Sequence, residues 1–198
     1  MKLIDRLEYA RNLCRDKHVV DIGGARMKPE NRSAFDLIYL AIRKAARGYV
    51  VIDRHPSADV VIDLDSPDGL EDALLGAEVV LCMETLEHLR NPGLVCDAIA
   101  KAVRGGAKAF ITFPRTSMLV RSYEQHGFTK LWGKCEHLYG FDDHHAAIFM
   151  KHNFAGLRIT PFKCCGTYLW WWPLVMLATF GRGGSFGYLI QKQETNHA

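Results

Sequence analysis

Glu84, Glu87 and His88 stand at positions i, i+3 and i+4 within the stretch Cys82-Met83-Glu84-Thr85-Leu86-Glu87-His88. The apolar run AEVVL precedes them and Leu89-Arg90-Asn91-Pro92 follows. On a helical turn this spacing puts three side chains on one face. Two carboxylates and an imidazole so placed suit a divalent ion such as Mg²⁺, Mn²⁺ or Zn²⁺. A second chemistry uses His88 alone, as a general base that accepts a hydroxyl proton. In a third reading Glu84 faces a ligand, while Glu87 and His88 brace a strand-to-helix turn by hydrogen bonds.

A second set of acids lies upstream. Asp21, Asp53 and Asp63 each end an apolar run, in HVVDIGG, GYVVID and DVVID. Core packing gives no reason for an acid there. An acid ending the second strand of a nucleotide-binding sheet can accept both hydroxyls of a ribose. Gly23 and Gly24 let backbone approach a ligand, whose anionic group nearby amides can receive. The plainer alternative is that each aspartate caps the turn that follows. Three in register favour a nucleoside-type ligand. The first loop reads Gly23-Gly24-Ala25-Arg26-Met27-Lys28, which lacks the G-x-G-x-x-G coupling of a dinucleotide site. No G-K-S or G-K-T phosphate loop occurs.

The elements that position these residues follow from periodicity. Leu3, Leu7, Ala10 and Cys14 predict an amphipathic lead-in helix over 1–17. Buried strands are expected at HVVDI, GYVVID, DVVID, AEVVLCM, AKAFITFP, FAGLRITPF and SFGYLIQKQ. Helices are expected over AFDLIYLAIRKAA, a short stretch at 67–76, a segment opened by Asn91-Pro92 and closed by Gly105, and DDHHAAIFMKH with Asp142 as cap. Alternating strand and helix means a mostly parallel α/β sheet covered on both faces, with ligands at the carboxyl ends of the strands. The loops after Asp21, Asp53, Asp63 and Met83 are expected to line one crevice.

The 198 residues suffice for one domain with a real core, and no boundary or repeat divides them. A net charge of +3 with scattered positives is too weak by itself to argue for nucleic acid, which is not the expected partner. Six cysteines without CxxC spacing read as buried thiols in a reducing compartment. The charged N-terminus MKLIDRLEYARNLCRDK is not a signal peptide. The expected location is cytoplasmic. Oligomeric state is not legible.

The ordered set VVDIGG, GYVVID, DVVIDLDSP, LCMETLEHLRNP and AKAFITFP resembles the class I S-adenosylmethionine-dependent methyltransferases, in particular the branch with an E-x-L-E-H-x-x-N/D-P turn. It covers about residues 19 to 160. The resemblance implies a Rossmann-like, seven-stranded, mostly parallel sheet whose last strand is antiparallel between the fifth and sixth. It implies S-adenosyl-L-methionine as cofactor, with Asp21, Gly23, Gly24 and Ala25 in the first loop and Asp53 and Arg54 at the ribose. Asp63 and Leu64 fall on the adenine side, and Met83 and Glu84 face the cofactor. Ala25 and Met27 depart from the family's glycines, in a longer loop. Because this turn recurs in metal-free relatives, the bracing reading of Glu87 and His88 is favoured over a metal on Glu84, Glu87 and His88. Ubiquinone-pathway and small-RNA relatives keep the metal reading open.

Residues 115–141, RTSMLVRSYEQHGFTKLWGKCEHLYGF, occupy the family's acceptor side. His137 and His88 are the two candidate catalytic residues. Mixed aromatic and polar groups there suit a small-molecule or glycan-type acceptor, with oxygen as the expected atom. Two rivals are a metal-assisted RNA 2′-O-methyltransferase and a degenerate fold member that only binds. The block 167–180, TYLWWWPLVMLATF, is too short to span a bilayer. It packs on the core or, in the sharper reading, makes a peripheral membrane contact.

Overall fold

The apolar runs that end in acids form three neighbouring strands at one side of a single sheet. The computed structural model describes residues 2–24, 34–114, 138, 140–165 and 185–194. In chain order the elements are β1 (Lys2–Asp5), α1 (Arg6–Cys14), β2 (His18–Ile22), α2 (Ala34–Ala45), β3 (Gly48–Asp53), β4 (Val60–Val61), α3 (Leu70–Ala73) and β5 (Val79–Met83). A single 3-10 turn, Leu86–His88, leads to α4 (Pro92–Arg104). Then come β6 (Lys108–Pro114), α5 (Asp143–Asn153), β7 (Arg158–Cys165) and β8 (Ser185–Gln191).

The strand order is β1-β7-β8-β6-β5-β2-β3-β4, with β8 antiparallel to both β6 and β7. All other pairs are parallel. The antiparallel strand thus lies where the resemblance places it. The sheet among the described residues has eight strands, not seven. The extra strand is β1, which pairs with β7 from Lys2↔Phe162 to Asp5↔Cys165. The lead-in helix is correspondingly shorter than 1–17 and starts at Arg6. Leu3 continues the apolar spacing of Leu7 and Ala10, so periodicity extends the helix where backbone pairing with a remote strand takes over.

Each face of the sheet is covered, as full burial of β5 requires. Val80 and Cys82 join Val95, Ile99 and Val103 of α4 and Met150 of α5 in one cluster. Val79, Leu81 and Met83 join Leu7, Ala10 and Cys14 of α1 and Ile42 of α2 in the other. Burying each large aliphatic side chain contributes roughly 1.5–3 kcal/mol. Cys14, Cys82, Cys96 and Cys164 are buried and form no disulfide. Helix ends follow the local chemistry in part. Asp142 Oδ1 accepts from the amides of His144 and His145 at 3.0 and 2.8 Å, capping α5. Asn91 occupies the cap position of α4 but its side chain makes no capping bond, so Pro92 at the first turn sets that start. No helix among the described residues is long and apolar enough to cross a membrane.

Candidate active-site cleft

The chain runs outward from β2 to β3 and β4, then returns to β5 on the other side of β2. This reversal opens a crevice at the strand carboxyl ends. A cleft of about 330 Å³ lies there, lined by Gly23, Asp53, Arg54, Asp63, Leu64, Asp65, Glu84, Thr85, His88 and Leu89. That volume is within the range of small-molecule sites. Gly23, Asp53, Arg54, Asp63, Leu64, Glu84 and His88 are the candidate site residues of the sequence that the fold brings together here. Asp21, Gly24 and Met83 do not line the cleft. Ala25 and His137 lie outside the described residues, as do the tryptophans of 167–180 and nearly all of 115–141.

Gly23 follows β2 with φ of 75°, and its amide donates to the carbonyl of Ile52 at 2.8 Å. A Cβ on Gly23 would sit 2.3 Å from Thr85 Cγ2. The buried Thr85 hydroxyl spans the switch point, 3.2 Å from the Ile22 carbonyl and 3.3 Å from that of Met83. Glycine is therefore required here by the protein's own packing. Gly24 is similar, since its Cβ would meet Asp21 Oδ2 at 2.2 Å. Asp21 itself is buried and accepts from the Tyr49 hydroxyl at 2.6 Å. Burial first, then the Asp21 charge, hold the Tyr49 phenol far above its usual range. Asp21 is thus engaged by Tyr49 inside the protein, a contact the strand-end pattern does not disclose.

The other acids keep the turns and face the cleft together. Asp53 Oδ1 accepts from the His55 amide at 2.9 Å, and Asp63 Oδ1 from the Asp65 amide at 3.0 Å. Asp65 Oδ1 accepts from the Arg90 amide at 2.6 Å and ties the β4 loop to the approach of α4. The capping alternative and the crevice placement hold at once. Leu64, 5% exposed, and Leu89, 8% exposed, supply the apolar lining.

Glu84 is one of two non-glycine residues with positive φ among the described residues, at 55°. Its amide donates to the Thr112 carbonyl at 3.0 Å. Its Oε1 takes the Thr112 hydroxyl at 2.9 Å and the Arg6 guanidinium at 2.5 Å. Burial works against the charge of Arg6, but Glu84 and weaker neighbours hold its pKa above the ordinary arginine value.

Glu87 is fully buried, with neither carboxylate oxygen hydrogen-bonded among the described residues. Burial, then the Glu84 charge, push its pKa up to about 8, against smaller opposing effects of its own backbone and Arg6. His88 Nε2 lies 3.8 Å from Glu87 Oε1, while the imidazole is 41% exposed at the cleft. Hydrogen-bond bracing by the Glu87 carboxylate is not what these contacts provide. Its main chain braces instead, accepting from the Leu138 amide at 2.8 Å. The three side chains do not converge: Glu84, bound to Arg6, and His88 both line the cleft, while Glu87 is buried in the interior. The 3-10 turn does not keep the common face that i, i+3 and i+4 give an α-helix. Among the described residues no group of three His, Cys, Asp or Glu is placed to hold a metal ion.

Sequence spacing does not single out Thr85, Asp65, Leu89 or Arg6. Asp65, two residues beyond Asp63 in a polar loop, carried a readable signal. Arg6 carried none, since its partner is 78 positions away in the chain.

No protein-family model matches this sequence, and no curated protein matches it. Its fold does match solved structures. A SAM-dependent methyltransferase from Thermotoga maritima aligns with a TM-score of 0.59 at 12% identity, over 96% of this chain and 88% of that one. An O-methyltransferase family protein from Burkholderia thailandensis gives 0.56 at 13%, over 96% and 56%. The small RNA methyltransferase HEN1 gives 0.58 at 11%, over 96% of this chain but only 25% of that one. The chain has the fold of SAM-dependent methyltransferases.

Proposed function

We propose that the protein is an S-adenosylmethionine-dependent methyltransferase acting on a small-molecule or glycan-type acceptor at oxygen. The observation that carries this is the cleft at the switch point, where Asp53, Asp63 and Glu84 meet Leu64 and Leu89. Its chemistry fits the nucleoside half of the cofactor. Asp53 would accept from ribose hydroxyls, Leu64 and Leu89 would flank the adenine, and Asp63 would receive an amine or hydroxyl at its edge. The bound cofactor supplies an electrophilic methyl group on a sulfonium. The chain's part is to hold an acceptor in line with it. His88, half-exposed at the same cleft, would take the proton of an acceptor hydroxyl.

Calorimetric titration with S-adenosylhomocysteine, without added metal, tests this reading. The expected result is saturable one-site binding that Asp53→Ala abolishes while the variant stays folded. Wild-type affinity in that variant, or no binding to the folded wild-type protein, overturns the assignment. The fold likeness to HEN1 motivates the rival RNA reading, which requires Mg²⁺ or Mn²⁺ dependence and a steep loss of RNA affinity with salt.

A further inference from the structure

Arg6 is the first residue of α1 and is only 9% exposed. It reaches this position because β1 runs parallel to β7, so both strands end at the carboxyl edge of the sheet, where the cleft opens. Ser185, which begins the antiparallel β8, lies at the same edge, and Arg6 Nη1 is 3.5 Å from its hydroxyl. The same Nη1 meets Glu84 Oε1 at 2.5 Å. A long cationic side chain from the edge of the sheet thus arrives at the residue that follows the central strand β5.

Three features make this contact more than a surface ion pair. Arg6 and Glu84 have side chains 11% and 25% exposed, so solvent screens them little. Glu84 holds a left-handed backbone that is uncommon for glutamate and costs about 1 kcal/mol or more. Thr112, fully buried, binds both ends of Glu84: its carbonyl takes the amide and its hydroxyl binds Oε1. Oε1 is therefore saturated by Arg6 and Thr112. The Thr112 and Arg6 contacts of the Glu84 carboxylate both fall on Oε1, and Glu84 lines the cleft.

We infer that Arg6 is a positioning residue that locks Glu84 in its strained conformation, so that Oε2 is presented to a hydrogen-bond donor of the ligand in the cleft. The ligand group is an ammonium or hydroxyl, since a carboxylate oxygen only accepts. The buried Arg6 charge also offsets that of Glu84, so the cleft gains a fixed acceptor without a further net negative charge. This rests on the cofactor reading for the ligand's identity, but not for the lock itself.

The test combines a double-mutant cycle with amide exchange. S-adenosylhomocysteine affinity is measured for wild type, Arg6→Met, Glu84→Gln and the double variant, with Arg6→Lys as the charge-retaining control. The expectation is at least a tenfold loss in Arg6→Met and partial rescue in Arg6→Lys. In the Glu84→Gln background, Arg6→Met should add less than twofold, because Arg6 acts through Glu84. A merely structural arginine gives losses that multiply, and that result overturns the inference, as does wild-type affinity in Arg6→Met. Hydrogen exchange of the Glu84 amide, read without any ligand, should speed up at least tenfold in Arg6→Met while α4 amides stay protected. An unchanged Glu84 amide also overturns it. Should Arg6→Met not fold, the same two measurements on Arg6→Lys decide, with a smaller loss and faster exchange expected. If the wild-type protein binds no S-adenosylhomocysteine, the cofactor reading fails, and the exchange arm still decides whether Arg6 locks Glu84.

Discussion

Glu78 and Glu84 bracket β5, one just before Val79 and the other just after Met83, and the two ends of this strand treat acids in opposite ways. At the amino end Glu78 gathers partners. It accepts from the His18 amide at 3.0 Å, from Lys17 at 3.0 Å and from Arg47 at 2.6 Å. The His18 amide, then Lys17, lower its pKa to about 2. At the carboxyl end Glu84 has positive φ and meets a buried arginine at 2.5 Å, and three residues on Glu87 lies fully buried without hydrogen bonds to its carboxylate among the described residues. The amino end satisfies its acid with several partners in the open. The carboxyl end keeps strained and poorly solvated groups, as sites of ligand chemistry commonly do.

The largest effect expected from this contrast is on Glu87. Its folded pKa, about 8, lies above the ordinary carboxyl value of 4.5. Below pH 4.5 both folded and unfolded forms are protonated and nothing is lost. Between 4.5 and 8 only the unfolded chain ionises, so stability falls with rising pH and levels off above 8. The total is roughly 4–5 kcal/mol at about 1.4 kcal/mol per unit. Glu87→Gln should flatten that slope in urea denaturation from about pH 4 to 9. A slope unchanged by the substitution would mean Glu87 is ionised in the folded protein, and the contrast between the ends would collapse.

Next is a pair of glycines with nearly the same backbone. Gly23 at the cleft has φ of 75° and Gly76, just ahead of Glu78, has 77°. A Cβ at Gly76 meets nothing within 4 Å, whereas at Gly23 it meets Thr85 at 2.3 Å. Gly76→Ala should cost only the left-handed penalty, about 1 kcal/mol. Gly23→Ala should cost roughly 2–4 kcal/mol, because the buried Thr85 must also move. Equal costs in thermal unfolding would show that the cleft edge yields as easily as the opposite end.

The smallest effect belongs to Glu78→Gln. Its depressed pKa contributes stability above pH 4.5 that is lost as pH falls through about 2. The loss on substitution should be slight, confined to pH above that window, and should shrink in high salt. A loss as large as that at Gly23 would make the amino end a structural hub in its own right.

The strand-and-helix alternation, the covered parallel sheet and the placing of Asp53 at the end of β3 and Glu84 just past β5 were legible from sequence, whereas the strand expected to end at Asp63 stops at Val61 and leaves Asp63 in the loop. These depend on local periodicity and on the rule that parallel strands are buried on both faces. Capping of α5 by Asp142 was legible for the same reason, since its partners are two and three residues away. The chain could not disclose that Leu3 belongs to a strand, that Asp21 turns to Tyr49, or that Gly23 makes room for Thr85. Nor could it disclose that Glu87 is buried while Glu84 and His88 line the cleft, or that Arg6 reaches Glu84. Each of these is fixed by a contact with a distant element or by the hand of one turn. Sequence spacing specifies which residues arrive at the carboxyl edge; only the packed sheet determines which of their atoms face the cleft and which are consumed by the protein itself.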